Sequence, residues 1–499
     1  MLLKIDKQSP KPLYGQVFEG IKALADEGAL AAGSALPSSR RLAGQLGLDR
    51  STVCRAYEEL QAQGYLDSRP GSYSRVRKRG GEAACDPDRK SSINWDSAVS
   101  REAHRISETF ALFSPEKPKA NGAHGQPVDL ASLDPDTRLF PVPELMRSIR
   151  KVMAGNGAEP DRGQGRGPSS LNYATYQGYP PLLDYISNRM RLHGVSVSSE
   201  EILITNGAQQ AIDLVARLFA SEGAAVALEA PTYATVIPLF RFNRLRLKPV
   251  PMTPRGMNLE VLEKLLARER IGFVYTIPNF QNPTGITTDH DHREKLLALC
   301  LAHKVPLVED GFEEDMKYFG KVALPVKSLD EHNIVIYIGT FSKALFPGLR
   351  IGWMAADREC IRKLTAIKRF ADLSTGHFVQ CVMNDFCRAG SYDLHLRRLH
   401  KVYRKRLAIC LKTMDERLPK TVSWTRPVGG YTLWVKLPAR MTEREMSGLM
   451  ARHGVSISYG GYYFVDGRES EYFRLSIAKI DEDEIREGIA RLGKALRAL

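Results

Sequence analysis

From residue 127 onward, stretches of helical periodicity alternate with short apolar runs: Val226–Leu228, Ile271–Tyr275, Pro306–Val308 and Ile334–Ile338. Such alternation admits few folds. Short apolar runs separated by helices pair side by side as a mostly parallel sheet with helices on its faces, so this part of the chain reads as an α/β domain. Sheets of this kind bind ligands outside the carboxyl ends of their strands. The residues that follow the apolar runs are therefore the ones to read first.

One run leads into Gly339-Thr340-Phe341-Ser342-Lys343-Ala344-Leu345-Phe346-Pro347-Gly348-Leu349-Arg350. A lysine placed there suits an aldehyde cofactor held as a Schiff base, with Lys343 as the nucleophile. Thr340, Ser342 and Arg350 suit a phosphate. Asp310 follows Val305–Val308 and points into the same crevice, either as a partner for a pyridine nitrogen or as a structural cap. Gly207-Ala208-Gln209-Gln210 precedes the helical pattern Ala211–Phe219, and amides at a helix start bind phosphate. Asn282, in an Asn-Pro turn, can hydrogen-bond a phenolic oxygen. Tyr233 either stacks on a ring or packs in the core. Arg474, in Phe473-Arg474-Leu475-Ser476, either clamps a carboxylate as a bidentate fork or needs a buried acid. A lysine, a phosphate cradle, a carboxylate at the ring nitrogen and ring packing are what pyridoxal 5′-phosphate requires of a protein.

The first eighty residues have another character. Leu13, Val17, Ile21 and Leu24 recur with helical period. Pro37-Ser38-Ser39 starts a second helix that ends near Gly47, and Asp49-Arg50-Ser51-Thr52 starts a third that runs to about Gln63, before Gly64. Two β-like pieces follow, at Tyr65-Leu66 and Tyr73–Val76, bridged by Arg69-Pro70-Gly71-Ser72. Three helices and a hairpin make a winged helix-turn-helix. Its second reading helix offers Arg50, Ser51 and Thr52 to the major groove, and Arg40 reaches a phosphate or base edge. Residues 1–80 hold 13 Lys/Arg against 8 Asp/Glu, an excess that favours double-stranded DNA as partner.

Arg77–Gly81 and Lys117–Gly122 are linker-like, and Ile93–Phe113 has the pattern of a short helix. The expected division is thus a DNA-binding head over 1–80, a linker over 81–126 and a cofactor domain over 127–499. The 7 cysteines are scattered and form no C-x-x-C pair, which argues for a reducing cytoplasm and against a disulfide framework or a metal site. The amino terminus lacks the apolar core of a signal peptide, and no uninterrupted apolar run is long enough to span a bilayer.

The stretch Ala35–Ala43, then Leu46–Val53, Ala56–Leu60 and Gly64–Leu66, resembles the GntR family of bacterial regulators. The order Tyr173, Gly207–Gln209, Tyr233, Asn282, Asp310, Lys343, Arg350, Arg474 resembles fold-type I aminotransferases. A GntR head on such a body is the arrangement of MocR-type regulators. The resemblance implies a homodimer in which Tyr173 reaches the phosphate of the neighbouring subunit. It implies a transcriptional regulator that senses an amino acid or amine through an external aldimine at Lys343. A true aminotransferase, or a regulator of free cofactor, are the alternatives. Two departures stand out. The wing reads Gly71-Ser72-Tyr73-Ser74 where that family has Gly-x-Gly-Thr, with Tyr73 or Arg75 as substitutes. Asp310-Gly311-Phe312 replaces Asp-x-Tyr, and the lost hydroxyl argues against efficient turnover without arguing against cofactor binding.

Overall fold

The computed structural model describes residues 3–68, 73–77, 91–113, 127–155, 169–320, 323–467, 469–497 and 499. The expected wing tip Arg69–Ser72 and half of the expected linker, Lys117–Gly122 included, lie outside these residues. The chain divides into two units, residues 1–98 and 99–499.

In the first unit, the helices Leu13–Asp26, Ser39–Leu46 and Arg50–Ala62 are followed by the antiparallel pair Leu66–Asp67 and Arg75–Val76. The helix starts follow from their caps. The Ser38 hydroxyl accepts from Arg41 N, and the Asp49 carboxylate accepts from Ser51 N at 2.7 Å. Val17, Ile21, Leu42, Val53, Leu60 and Val76 close a small core. The pattern Ile93–Phe113 forms two helices, Trp95–Ala98 and Arg101–Phe113, and not one. The break lies at Ser100, whose hydroxyl accepts from Ala103 N at 3.2 Å and starts the second helix afresh. That second helix belongs to the larger unit and packs on the helix Val236–Phe242.

The larger unit is built on an eight-stranded sheet in the order Ile202–Thr205, Gly352–Ala355, Val335–Thr340, Leu307–Asp310, Phe273–Thr276, Ala225–Ala230, Arg246–Thr253, Gly256–Met257. The five strands from Val335–Thr340 to Arg246–Thr253 run parallel, as the apolar runs imply. Both margins are antiparallel, so the sheet is mixed. Leu228, Val274, Val308 and Ile338 are fully buried. Burial on this scale stabilises by about 1.5–3 kcal/mol per side chain. Because the parallel strands end at one margin, Asp310, the last residue of its strand, and Thr340 emerge side by side, with Ile338 opposite Asp310 in register.

A smaller antiparallel sheet orders Ser423–Trp424, Thr432–Met441, Ser470–Ser476 and Ser458–Tyr459. It sets Arg474 opposite Trp434. Val128–Asp129 pairs in parallel with Val455–Ser456 as a separate two-stranded sheet. Among the described residues no helix is long and apolar enough to cross a membrane.

Candidate functional site

Lys343 lies just past the end of the strand Val335–Thr340. Its Nζ donates to the Leu133 carbonyl at 3.3 Å, and its own carbonyl accepts from the Tyr431 hydroxyl at 2.8 Å. Burial lowers the ammonium below the ordinary lysine range, against the opposing pull of the Glu313 and Asp134 carboxylates. A lysine held this way supplies neutral amine far more readily than one in water.

Asp310 is buried, and burial raises its carboxyl to about 6 in spite of the Tyr275 hydrogen bond and the Lys343 charge. Tyr275 donates its hydroxyl to Oδ2 at 2.6 Å, while Oδ1 has no hydrogen-bond partner. A buried carboxylate oxygen without a donor is costly unless a ligand completes it. Tyr233, half-buried, is in electrostatic reach of Asp310 and Arg474. Phe312 packs into the apolar cluster with Tyr233 and Ile338 and offers no donor.

The phosphate end has its own signature. The helix Gly207–Phe219 begins at Gly207 with φ +75°, and a Cβ there would stand 2.5 Å from Arg350 Nη2. Glycine is thus required both by conformation and by the approach of the guanidinium. Arg350 Nη2 donates to Asn206 O at 3.1 Å and has no carboxylate partner among the described residues. A cation at the positive end of a helix is unfavourable by itself and becomes favourable when an anion sits between them. Thr340 Oγ1 donates to Ile351 O at 3.2 Å, accepts from Ser342 N at 3.1 Å and lies 3.0 Å from Ser342 Oγ, which fixes both hydroxyls at the same loop. Asp372 holds the helix start from behind, accepting from Asn206 and Gln210 at 2.6 and 2.8 Å. Ala208 and Gln209 lie in the first turn.

Arg474 is 8% exposed, and no acid lies within ion-pair distance among the described residues. Nη1 donates to Asn282 Oδ1 at 3.1 Å, Nη2 donates to Ala131 O at 2.6 Å, and Nε has no partner. Of the two readings open from sequence, the buried acid is absent among these residues. A fork aimed at two neutral carbonyls is left wanting an anion.

The residues fit pyridoxal phosphate on these grounds: a free Asp310 Oδ1, a cradle that a Cβ would fill, an acid-free arginine and a lysine of lowered basicity. Tyr173 is not brought to them within one chain. It is 78% exposed and forms no hydrogen bond to the other candidate residues. Sequence reasoning missed Tyr275, Glu313 and the carbonyls of Ala131 and Leu133. A tyrosine inside the run Phe273–Thr276 was a signal for the first. Nothing in the chain marks a backbone acceptor two hundred residues away.

On the head, Arg40, Arg50 and Ser51 are exposed and Thr52 half-exposed. The Ser51 hydroxyl donates to the Asp49 cap. Tyr73 is 63% exposed, whereas Arg75 Nη1 donates to Gly33 O at 2.9 Å.

Residues 127–492 match the family model for aminotransferase class I and II, and residues 13–76 match that for bacterial regulatory proteins of the gntR family. The chain is 36% identical to the 2-aminoadipate transaminase of Thermus thermophilus over 73% of its own length and 89% of that protein. It is 25% identical to the probable rhizopine catabolism regulatory protein MocR of Rhizobium meliloti over 100% of its own length and 96% of that protein. The crystal structure of the alpha-aminoadipate aminotransferase LysN of Thermus thermophilus, complexed with N-(5′-phosphopyridoxyl)-L-leucine, superposes with a TM-score of 0.73 at 32% identity. The match covers 81% of this chain and 99% of that one.

Proposed function

Because the chain belongs to the class I and II aminotransferase family, whose cofactor is pyridoxal 5′-phosphate, and carries a gntR-type head, we propose that it is a transcriptional regulator that holds this cofactor on Lys343 and answers to an amino compound bearing a carboxylate. When bound, the cofactor supplies an aldehyde that condenses reversibly with primary amines and a ring that withdraws electrons. The amides of Gly207, Ala208 and Gln209, the hydroxyls of Thr340 and Ser342, and Arg350 bind its phosphate. Asp310 Oδ1 takes the ring nitrogen, with Oδ2 held by Tyr275. Asn282 donates to the ring oxygen, and Tyr233 packs on the ring.

Arg474 is the observation that carries the sensing role. Its fork is spent on Asn282 and on Ala131, and an effector carboxylate competes for both. Lys343 likewise donates to Leu133, two residues along the same segment. Taking an effector therefore frees the segment Ala131–Leu133, which continues from the strand paired with Val455–Ser456. In a homodimer whose Tyr173 completes the neighbouring phosphate site, that release alters the dimer and the grip of its heads on double-stranded DNA in the cytoplasm.

A transaminase that acts on an amino acid is the second reading, favoured by the likeness to 2-aminoadipate transaminase. Phe312 weighs against fast turnover, since it cannot donate to the ring oxygen. Screening amino acids against the full-length protein, with the cofactor's absorbance and keto-acid release read together, separates the two. A spectral change with little keto acid supports the regulator. Loss of the cofactor band in Lys343→Ala supports the lysine assignment, and an unchanged spectrum in that variant sinks it.

A further inference from the structure

Glu313 is a buried acid that none of the roles above uses. It is 2% exposed, and no lysine or arginine lies within ion-pair distance among the described residues. Oε2 accepts from Tyr431 N at 3.2 Å, and Oε1 has no partner. The surrounding turn is shaped to this carboxylate: Gly430 has φ +68°, and a Cβ there would lie 2.5 Å from Oε2. Gly430 N donates to Met316 O at 2.8 Å, which locks the turn onto the loop after Asp310.

The same Tyr431, fully buried, donates its hydroxyl to the backbone carbonyl of Lys343. One rigid residue therefore holds Glu313 by its amide and Lys343 by its ring. The two side chains line one cavity with Trp353 and Tyr337. Each is the strongest charge acting on the other. An acid that is sequestered, half-unpaired and set beside a reactive lysine is costly to keep unless it handles a proton.

We propose that Glu313 is a positioning residue that shares a single proton with Lys343. The proton rests either on Lys343, as an ammonium facing a Glu313 carboxylate, or on Glu313, as a neutral acid facing a neutral amine, and the count of protons and charge is the same in both states. The reverse shift restores the two charges. This inference rests on the reading of Lys343 as the lysine that holds the cofactor. It gives that lysine an acid one residue beyond Phe312, where the hydroxyl is missing.

Burial pushes the Glu313 carboxyl up and the Lys343 ammonium down, so their proton affinities converge. The other groups facing the pair do not replace Glu313. Asp134 is exposed, Asp310 accepts from Tyr275 on the neighbouring strand, and Arg350 and Arg474 are cations. The hydroxyls of Tyr318, Tyr403 and Tyr431 are themselves pushed to higher pKa by burial.

The test is the pH dependence of Lys343 labelling in cofactor-free, full-length protein, with trinitrobenzenesulfonate as probe and the mass of the labelled peptide as readout. Glu313→Gln keeps the acceptor for Tyr431 N but loses the charge. Its half-labelling pH should fall by roughly 1–3 units, the usual effect of an opposite charge at close range. Glu313→Asp should restore most of the wild-type value, and Asp134→Asn should move it little. From the other side, Lys343→Met should keep the infrared band of a protonated carboxyl visible to higher pH than wild type, whether or not the Glu313 variants fold. An unmoved midpoint in a Glu313→Gln protein that melts like wild type would overturn the proposal. So would an equal shift in Asp134→Asn, or an infrared band indifferent to Lys343. Midpoints that follow residue 313 in a protein that binds no cofactor would support the pair and overturn only the cofactor reading.

Discussion

The Tyr275 hydroxyl donates to Asp310 Oδ2 at 2.6 Å across two neighbouring parallel strands, with both side chains buried. This charge-assisted bond fixes the plane of the carboxyl and leaves Oδ1 as the one oxygen free to meet a ring nitrogen. It also sets the charge. Burial alone would push Asp310 higher than about 6, and Tyr275 is the first group that holds it down.

Tyr275→Phe removes that donor while keeping the ring. Cofactor affinity should fall by about 1.5–3 kcal/mol, the worth of a hydrogen bond to a charged group. Equilibrium absorbance titration of the variant measures this. Wild-type affinity would show that Asp310 is oriented by something else.

Gly207→Ala puts a Cβ where Arg350 stands and forces a side chain into left-handed backbone. Urea unfolding should show a loss of about 1–3 kcal/mol. Protection by inorganic phosphate should fall in the same variant. Equal protection of variant and wild type would remove Gly207 from the phosphate site.

Glu229 and Glu309 are both raised by burial to about 7. An acid whose folded pKa is raised binds more protons folded than unfolded, so its contribution is whole below the ordinary carboxyl range and is lost as pH rises through about 7. Melting temperature of the cofactor-free protein should therefore decline from about pH 6.5 to about pH 8. His395, held down to about 4 by burial, acts in the opposite sense but only below the ordinary histidine range. Glu309→Gln should flatten the decline. A melting temperature that rises over this interval would contradict the assignment.

Much of this was legible in the sequence because the signals are local. The caps Ser38 and Asp49 announce their helices, and the glycine shortly after the strand Ile202–Thr205 announces the helix that starts there. Asp310 and Lys343 stand at strand ends, where parallel topology converts chain position into site position. What escaped depends on distant partners. Glu313 reads as one more acid in Glu313-Glu314-Asp315 until the turn at Gly430 closes over it. The antiparallel margins of the sheet escaped as well, since an apolar run such as Gly352–Ala355 carries no mark of strand direction.

Arg50 is exposed at the start of its helix behind the Asp49 cap, and a base contact is its proposed role. Arg50→Ala should weaken binding to the native upstream region by roughly 1–3 kcal/mol and relax preference at one position. Equal affinity of variant and wild type would remove Arg50 from the recognition surface.

The most direct measurement is the affinity of the full-length protein for its own upstream DNA, with and without an amino acid that changes the cofactor's absorbance, in wild type, Lys343→Ala and Arg474→Ala. The account predicts that the amino acid alters wild-type affinity and leaves both variants unmoved. Rapid multiple turnover of the amino acid with no change in wild-type DNA affinity would contradict it and make the chain a working aminotransferase.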